Sequence, residues 1–88
     1  MKLETKVQVK NAMGLHTRPA TAIVKLLRNR KSDVLFTYKQ ETVNAKSILS
    51  ILMLAVKKNA RLMITVDGDD AEDTMRYLLE AFANKFGE

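Results

Sequence analysis

Hydrophobic and polar residues alternate at the start of the chain, which predicts a strand over residues 3–10 with one buried face. Two further stretches, 34–38 and 61–66, are rich in β-branched and hydrophobic residues and also predict strands. Residues 39–40 predict a tight turn and 41–43 a short returning strand, although the turn lacks the Asn-Gly pair that two-residue hairpins favour. The pattern therefore predicts four strands, two of which form a hairpin.

Three other segments carry their hydrophobic residues at helical spacing. Residues 19–30 predict a first helix, for which Thr17 is the expected N-cap. Residues 47–54 predict a short second helix capped by Ser47, and a turn rich in aspartate precedes a third helix over about 71–86. The order β-α-β-β-α-β-α, with a hairpin in the middle, favours an α+β architecture with helices on one face of an antiparallel or mixed sheet.

The length of 88 residues suits one small domain, which we expect to span residues 1–88. The chain has no cysteine, so it can form neither a disulfide nor a thiolate metal site. It shows no signal peptide, and no apolar run approaches the ~20 residues that a membrane span requires. We therefore expect a cytoplasmic protein with no membrane insertion, too small for a deep cleft between domains.

The net charge of +5 is distributed unevenly. Residues 1–66 contain 13 lysines and arginines against three acids, whereas residues 67–88 contain two against seven. A basic body of this kind suggests an acidic partner, either nucleic acid or an acidic protein surface.

The only histidine and the only proline lie close together, in the run from Gly14 to Ala20, GLHTRPA. Taken alone, His16 is an ordinary exposed side chain. A metal site is not expected, because the chain offers neither a second histidine nor a cysteine. A Ser-His-Asp triad has no supporting signature, and a general base in a concave site is hard to build on so short a chain.

Covalent chemistry remains, in which His16 accepts a group and passes it on. A transferred phosphoryl group needs its charge compensated, and free backbone N–H groups at a helix start supply part of that compensation. Pro19 has no N–H, so these donors must come from residues such as Thr17 and Arg18, and the Arg18 guanidinium supplies further charge. Gly14 lets the backbone adopt an unusual conformation beside them.

The run GLHTRPA resembles the active-site motif of the HPr family, the histidine-containing phosphocarriers of the bacterial phosphoenolpyruvate-dependent sugar phosphotransferase system. The segment Asn44 to Leu49, NAKSIL, resembles the second motif of that family, and the length and element order agree. The resemblance implies an open-faced β-sandwich of four antiparallel strands with three helices on one face. It also implies that His16 accepts the phosphoryl group through Nδ1, stabilised by Arg18 and the backbone amide of Thr17.

The same resemblance implies the partners. Phosphorylated enzyme I would supply the phosphoryl group, and sugar-specific IIA components would receive it. The chain would act as a monomeric carrier without cofactor, metal or independent turnover. In many relatives the serine that matches Ser47 is phosphorylated by a dedicated HPr kinase/phosphorylase, and a phosphate at a helix N-terminus is electrostatically compatible with the fold.

The second helix is apolar nearly all round, yet so small a domain cannot enclose it. Ile51 and Leu54 share one side at ~100° per residue. The family pattern implies that the residues facing outward beside His16 form a docking surface, with Thr21 of the first helix included. That set is Ile48, Leu49, Leu52 and Thr21. If all were core residues instead, they would be fully buried.

Two other functions compete with the carrier. One is a regulatory phosphotransferase-system protein that acts mainly through protein–protein interaction and Ser47. The other is a small nucleic-acid-binding domain, which is less favoured because aromatic residues are few and GLHT is not a GxxG clamp. The chain also departs from many relatives of HPr, since Ala55 and residues 57–59 stand where glycines are common.

Overall fold

Four strands and three α-helices follow one another in the order that the sequence predicts, and a single 3-10 turn at Lys85–Gly87 comes last. The computed structural model describes residues 1–88. The elements are β1 (Lys2–Gln8), α1 (Thr17–Leu27), β2 (Asp33–Tyr38), β3 (Glu41–Asn44), α2 (Ile48–Leu54), β4 (Arg61–Asp67) and α3 (Ala71–Ala83). None of the helices is both long enough and apolar enough to cross a bilayer.

All strands form one antiparallel sheet in the order β1-β4-β2-β3. The last strand of the chain, β4, lies between β1 and β2, so that Ile64 is opposite Thr5 on one side and Phe36 on the other. The helix α1 connects β1 to β2 and α2 connects β3 to β4, whereas a two-residue turn joins β2 to β3. The predicted open-faced sandwich of four antiparallel strands and three helices is confirmed.

The alternation seen in the sequence separates the two faces of the sheet. On β2, Val34 and Phe36 are buried, whereas Asp33 before them and Leu35 between them are exposed. The helices α1, α2 and α3 cover the first of these faces with one buried stripe each. The largest fully buried apolar side chains of the core are Phe36, Ile23, Leu27, Ile51, Leu62, Ile64 and Leu78.

The first helix begins two residues earlier than predicted and ends at Leu27. The prediction of Thr17 as its N-cap is wrong, because the extended backbone of His16 occupies that position and Thr17 is the first helical residue. Pro19 therefore lies at the third helical position, where its missing N–H has no intrahelical acceptor to lose. The histidine, rather than the threonine, therefore occupies the N-cap of α1.

The third helix ends at Ala83 rather than near residue 86. Lys85 and Phe86 have φ angles of 58° and 54°, which lie outside the right-handed helical region. Even so, the Phe86 ring contacts Phe82 with a centroid separation of 4.9 Å. A tight turn rather than a longer helix therefore brings Phe86 against α3.

Several turns use a left-handed backbone without glycine. Lys39 and Gln40 have φ angles of 49° and 68°, the sign that a type I′ hairpin turn requires at both central positions. Ala55 ends α2 with a φ of 54°, and Asn59 follows at 70°. Asparagine tolerates this region, whereas a residue such as alanine is disfavoured there by about 1–2 kcal/mol.

Asp70 links the start of α3 to the start of β2. Its carboxylate accepts hydrogen bonds from the backbone amides of Lys31 and Ser32, both at 2.9 Å, and from the Ser32 hydroxyl. It does not bond to the amides of its own helix. The Ser32 hydroxyl and, next, the Lys31 amide hold the pKa of this carboxyl far below its usual range.

Candidate functional site

The loop before α1 packs against the segment that follows α2 and is hydrogen-bonded to it. Gly14 has a φ of +66°, and a Cβ at this position would lie 2.1 Å from the Val56 carbonyl oxygen. The amide of Leu15 donates to that same oxygen at 3.0 Å, and the Leu15 side chain is buried. Only glycine fits between these two segments, which explains the first residue of the GLHTRPA run.

His16 stands at the entrance of α1. Its carbonyl accepts the first helical hydrogen bond, from Ala20 at 3.0 Å, and 30% of its side chain is exposed. The ring nitrogen Nε2 lies 3.0 Å from Oε2 of Glu88. The other ring nitrogen, Nδ1, has no hydrogen-bond partner in the protein, which leaves it free to react.

Unpaired donors follow His16 directly in the chain. The amides of Thr17 and Arg18 belong to the first turn of α1, where N–H groups have no intrahelical acceptor. The positive end of the helix dipole adds to them. The Arg18 side chain is exposed and makes no hydrogen bond or ion pair, so its guanidinium is available to an anion at His16.

Two shallow pockets meet at His16 and Arg18. One, of about 390 Å³, is lined further by three lysines and by Asn11 and Glu88. The lysines are Lys10, Lys58 and Lys85. The other, of about 580 Å³, is lined on the α1 side and by Phe86. Its α1 residues are Thr17, Thr21, Ala22 and Lys25. The surroundings of His16 are therefore strongly cationic and suit a negatively charged group.

Glu88 contacts His16, although no pattern in the sequence indicates it. Only a fifth of its side chain is exposed, and its carboxylate also accepts a hydrogen bond from the side-chain amide of Asn11, which is 1% exposed. That bond and, after it, the contact with His16 hold the Glu88 pKa below its usual value, and burial offsets part of the effect. Glu88 lies 72 positions after His16 in the sequence, and Asn11 lies five positions before it. No local sequence pattern connects either residue with the histidine.

The prediction of Ser47 as the N-cap of α2 is confirmed. Its backbone is extended, and its hydroxyl accepts a hydrogen bond from the Ser50 amide at 3.2 Å. Ile51 and Leu54 are buried, as their shared side of the helix predicts.

The opposite side of α2 is exposed or half-buried. Leu49 is 67% exposed, and Ile48 and Leu52 are half-buried, so none of the three is a fully enclosed core residue. Met53, which the sequence analysis did not assign to this surface, is 72% exposed and lies one turn after Leu49. Together Ile48, Leu49, Leu52 and Met53 form what we call the α2 apolar surface.

This surface adjoins the histidine loop. The helices α1 and α2 pack against each other, and the Leu15–Val56 hydrogen bond joins the loop to the residue two past α2. Thr21 is half-buried in α1 and donates its hydroxyl to the Thr17 carbonyl at 2.8 Å. Met13, which is 73% exposed in the same loop, adds a further apolar side chain near His16.

One of the basic residues has a structural role. Lys46 is half-buried and donates through Nζ to the Arg30 carbonyl at 3.0 Å, which joins the start of α2 to the end of the segment after α1. Lys25, Arg28 and the Lys57–Lys58 pair are exposed, so these side chains are accessible to an acidic partner.

Comparison with known proteins agrees with this arrangement. The family model described as "PTS HPr component phosphorylation site" matches residues 3–84. Phosphocarrier protein HPr from Chlamydia pneumoniae is 42% identical over 86 residues, which cover 98% of this chain and 80% of that protein. The multiphosphoryl transfer protein of Salmonella typhimurium is 34% identical over 98% of this chain, but the match covers 24% of its own length.

A solved structure is similar throughout. The crystal structure of HPr-C-His from Thermoanaerobacter tengcongensis superposes with a TM-score of 0.93 at 34% identity, over 98% of this chain and 97% of that one. The GLHTRPA run lies inside the region that the family model matches. The chain therefore belongs to the HPr family of phosphocarrier proteins of the phosphotransferase system.

Proposed function

We propose that this chain carries a phosphoryl group on Nδ1 of His16, taken from phosphorylated enzyme I and passed to sugar-specific IIA components. The observation that carries the proposal is the position of His16 at the α1 N-cap. The unpaired Nδ1 belongs to this N-cap residue, the free amides of Thr17 and Arg18 follow it in the first turn of α1, and the exposed Arg18 side chain makes no hydrogen bond or ion pair. An anion at this point receives both backbone and charged donors.

The arrangement suits a carrier better than an enzyme. His16 lies at the surface in shallow pockets rather than in an enclosed cleft, so the same ring can face one partner protein after another. The phosphoryl group enters from one protein and leaves to another, and the chain needs no turnover or cofactor of its own. We propose that residues 1–88 act as one cytoplasmic, monomeric HPr-like domain in this exchange.

The α2 apolar surface is the proposed docking site for enzyme I and the IIA components, together with Thr21 and the cationic side chains around His16. Exposed apolar residues of this size are favourable at the centre of a protein interface, and a charged rim assists association. The lysine-rich surroundings of His16 suit partners whose surfaces are acidic.

A second role at Ser47 is proposed alongside the first, with an HPr kinase/phosphorylase as the partner. Ser47 is half-buried at the start of α2 and precedes Ile48 of the α2 apolar surface. A phosphate there would add about −2 charges at pH 7 beside apolar docking residues, which opposes association with an acidic partner. Regulation through this residue is the alternative to a role in sugar transport.

The two roles are separated by one labelling experiment. The protein is mixed with enzyme I and labelled phosphoenolpyruvate, and acid-labile label is measured in the wild type, in His16→Ala and in Ser47→Ala. The carrier role predicts label in the wild type and in Ser47→Ala but none in His16→Ala. Acid-labile label that persists in His16→Ala refutes the assignment. In a parallel incubation with labelled ATP and a kinase, acid-stable label that disappears in Ser47→Ala supports the regulatory role.

A further inference from the structure

The Glu88 carboxylate joins two side chains at the site. Oε2 lies 3.0 Å from Nε2 of His16, and Oε1 accepts from the side-chain amide of Asn11. The same Asn11 nitrogen donates to the Lys85 carbonyl at 2.9 Å. Because both neighbours are acceptors, the Asn11 amide must present its NH₂ group, and its orientation is determined. Asn11 is almost completely buried, and its amide nitrogen joins Glu88 to the Lys85 carbonyl.

This geometry determines which nitrogen of His16 carries the proton. An ionised carboxylate only accepts hydrogen bonds, so the bond to Glu88 requires a proton on Nε2. In the neutral imidazole the proton resides on one nitrogen alone, and Nδ1 then keeps its lone pair. The unpaired Nδ1 is therefore the nucleophilic nitrogen.

We propose that Glu88, anchored by Asn11, is a positioning residue that keeps His16 in the Nε2–H form and thereby presents Nδ1 to the incoming phosphorus. The proposal rests on the carrier function proposed for His16. In the transfer step the Nδ1 lone pair forms the bond to phosphorus while the bond between phosphorus and the donor protein breaks, and the electron pair of that bond leaves with the donor. The Nε2 proton stays in place, the ring becomes cationic, and the adjacent carboxylate offsets that charge.

The backbone that carries Glu88 is held in an uncommon conformation. Lys85, Phe86 and Gly87 all have positive φ angles, and such conformations in residues other than glycine persist only where the surroundings maintain them. The edge-on contact of Phe86 with Phe82 and the bond from Asn11 to the Lys85 carbonyl supply that support. At this turn the chain leaves the axis of α3, and Glu88 reaches His16.

The test is Glu88→Gln, which keeps the size of the side chain and removes its charge. Asn11 still requires an acceptor, so the glutamine oxygen faces Asn11 and its NH₂ group faces His16. Nε2 must then accept, and the proton moves to Nδ1. Nitrogen-15 NMR of the neutral imidazole distinguishes the two forms by the chemical shifts of the ring nitrogens. We expect the wild type to be almost entirely Nε2–H and the variant to shift towards Nδ1–H.

Phosphoryl transfer from enzyme I should slow in Glu88→Gln by about tenfold or more, the size of the loss expected for one charge-assisted hydrogen bond. The matched control is Glu80→Gln, which removes an exposed acid of α3 that makes no side-chain hydrogen bond. We expect this control to keep the wild-type ring shifts and rate.

Two results would overturn the proposal: a wild-type ring mainly in the Nδ1–H form, or ring shifts and transfer rate that are unchanged by Glu88→Gln. The wild-type spectrum requires no variant, so the proposal stays testable if the substitution disturbs folding. If the wild-type protein takes no phosphoryl group on His16, the carrier function fails, whereas the ring shifts report on Glu88 independently.

Discussion

At the scale of a single residue, Arg18 is proposed to stabilise the phosphoryl group without a role in the stability of the fold. It is exposed in the first turn of α1 and makes no hydrogen bond or ion pair. Arg18→Ala should therefore leave the melting temperature unchanged but slow phosphoryl transfer by about 10–100-fold, since one charged donor to the transferred group is lost. Rates with phosphorylated enzyme I measure the effect.

Arg28→Ala is the matched control, because Arg28 is an exposed arginine at the opposite end of α1. It should transfer at nearly the wild-type rate. A clear drop in melting temperature in Arg18→Ala alone would mean that Arg18 is a structural residue, contrary to the proposed role.

Residues adjacent in sequence were the predictable part of the site. His16, Thr17 and Arg18 follow one another, and Pro19 indicates a nearby helix start, so the anion-binding arrangement can be inferred from seven residues. Glu88 could not be inferred in this way. It reaches His16 only because α3 ends early and a turn of positive φ angles redirects the chain, and hydrophobic periodicity carries no information on such a turn.

At the scale of an element, α2 ends at a residue type that disfavours the backbone conformation observed there. Ala55 adopts a left-handed backbone that glycine accepts freely. Ala55→Gly should raise the free energy of unfolding by about 1 kcal/mol, measured by urea denaturation.

Ala81→Gly provides the comparison, because Ala81 lies inside the right-handed helix α3. There the same exchange should lower stability by about 1 kcal/mol. Destabilisation by both substitutions would contradict the left-handed assignment of Ala55.

The α2 apolar surface gives a second prediction at this scale. Leu49→Ala should raise the KM for phosphoryl transfer by about fivefold, the effect of losing roughly 1 kcal/mol at a docking contact, with little change in kcat. Steady-state transfer from enzyme I measures both constants. Leu35→Ala, which removes an exposed leucine from the uncovered face of the sheet, should leave KM unchanged. Equal effects of the two substitutions would mean that α2 is not the docking site.

The elements themselves were predictable in type and order, while their ends were not. Alternation identified β1, runs of β-branched and hydrophobic residues identified β2 and β4, a predicted tight turn identified β3, and apolar stripes identified the helices. The first helix begins at Thr17 because His16, with no side-chain capping bond, takes the N-cap position. Capping preferences favour threonine there, so the tertiary contacts of the histidine loop decide the boundary.

At the scale of the whole molecule, Asp70 joins the start of α3 to the start of β2, and its ionisation is linked to global stability. Its pKa is depressed in the folded state, so the folded protein binds fewer protons here than the unfolded chain. The stabilisation is complete above the unfolded pKa of about 4 and is lost as the pH falls below it.

Asp70→Asn should therefore lower stability at pH 7 and flatten the loss of stability on acidification, measured by thermal unfolding from pH 7 to about pH 2. Asp69→Asn is the control, because Asp69 is exposed and makes no side-chain hydrogen bond. It should retain the wild-type acid dependence. The stability of Asp70→Asn should still fall somewhat at acidic pH, since the pKa of Glu88 is also lowered in the folded state. An unchanged acid profile in Asp70→Asn would contradict the linkage.

The arrangement of the whole sheet was not accessible from periodicity alone. Alternation says which side of a strand is buried but not which strand lies beside it. In the structure β4 enters between β1 and β2, and this brings segments more than 50 residues apart into register. The family resemblance, rather than the local pattern, supplied the expectation of a fully antiparallel sheet.

The central claim is that His16 is the phosphoryl acceptor. It is tested most directly by locating the phosphoryl group on the intact protein after incubation with enzyme I and phosphoenolpyruvate. Nitrogen-15 and phosphorus-31 NMR at neutral to alkaline pH identify the atom that bears it. We predict one phosphoryl group per chain, bonded to Nδ1 of His16. A group bonded to Nε2, to Ser47 or to any other residue, or no transfer at all, would contradict the account.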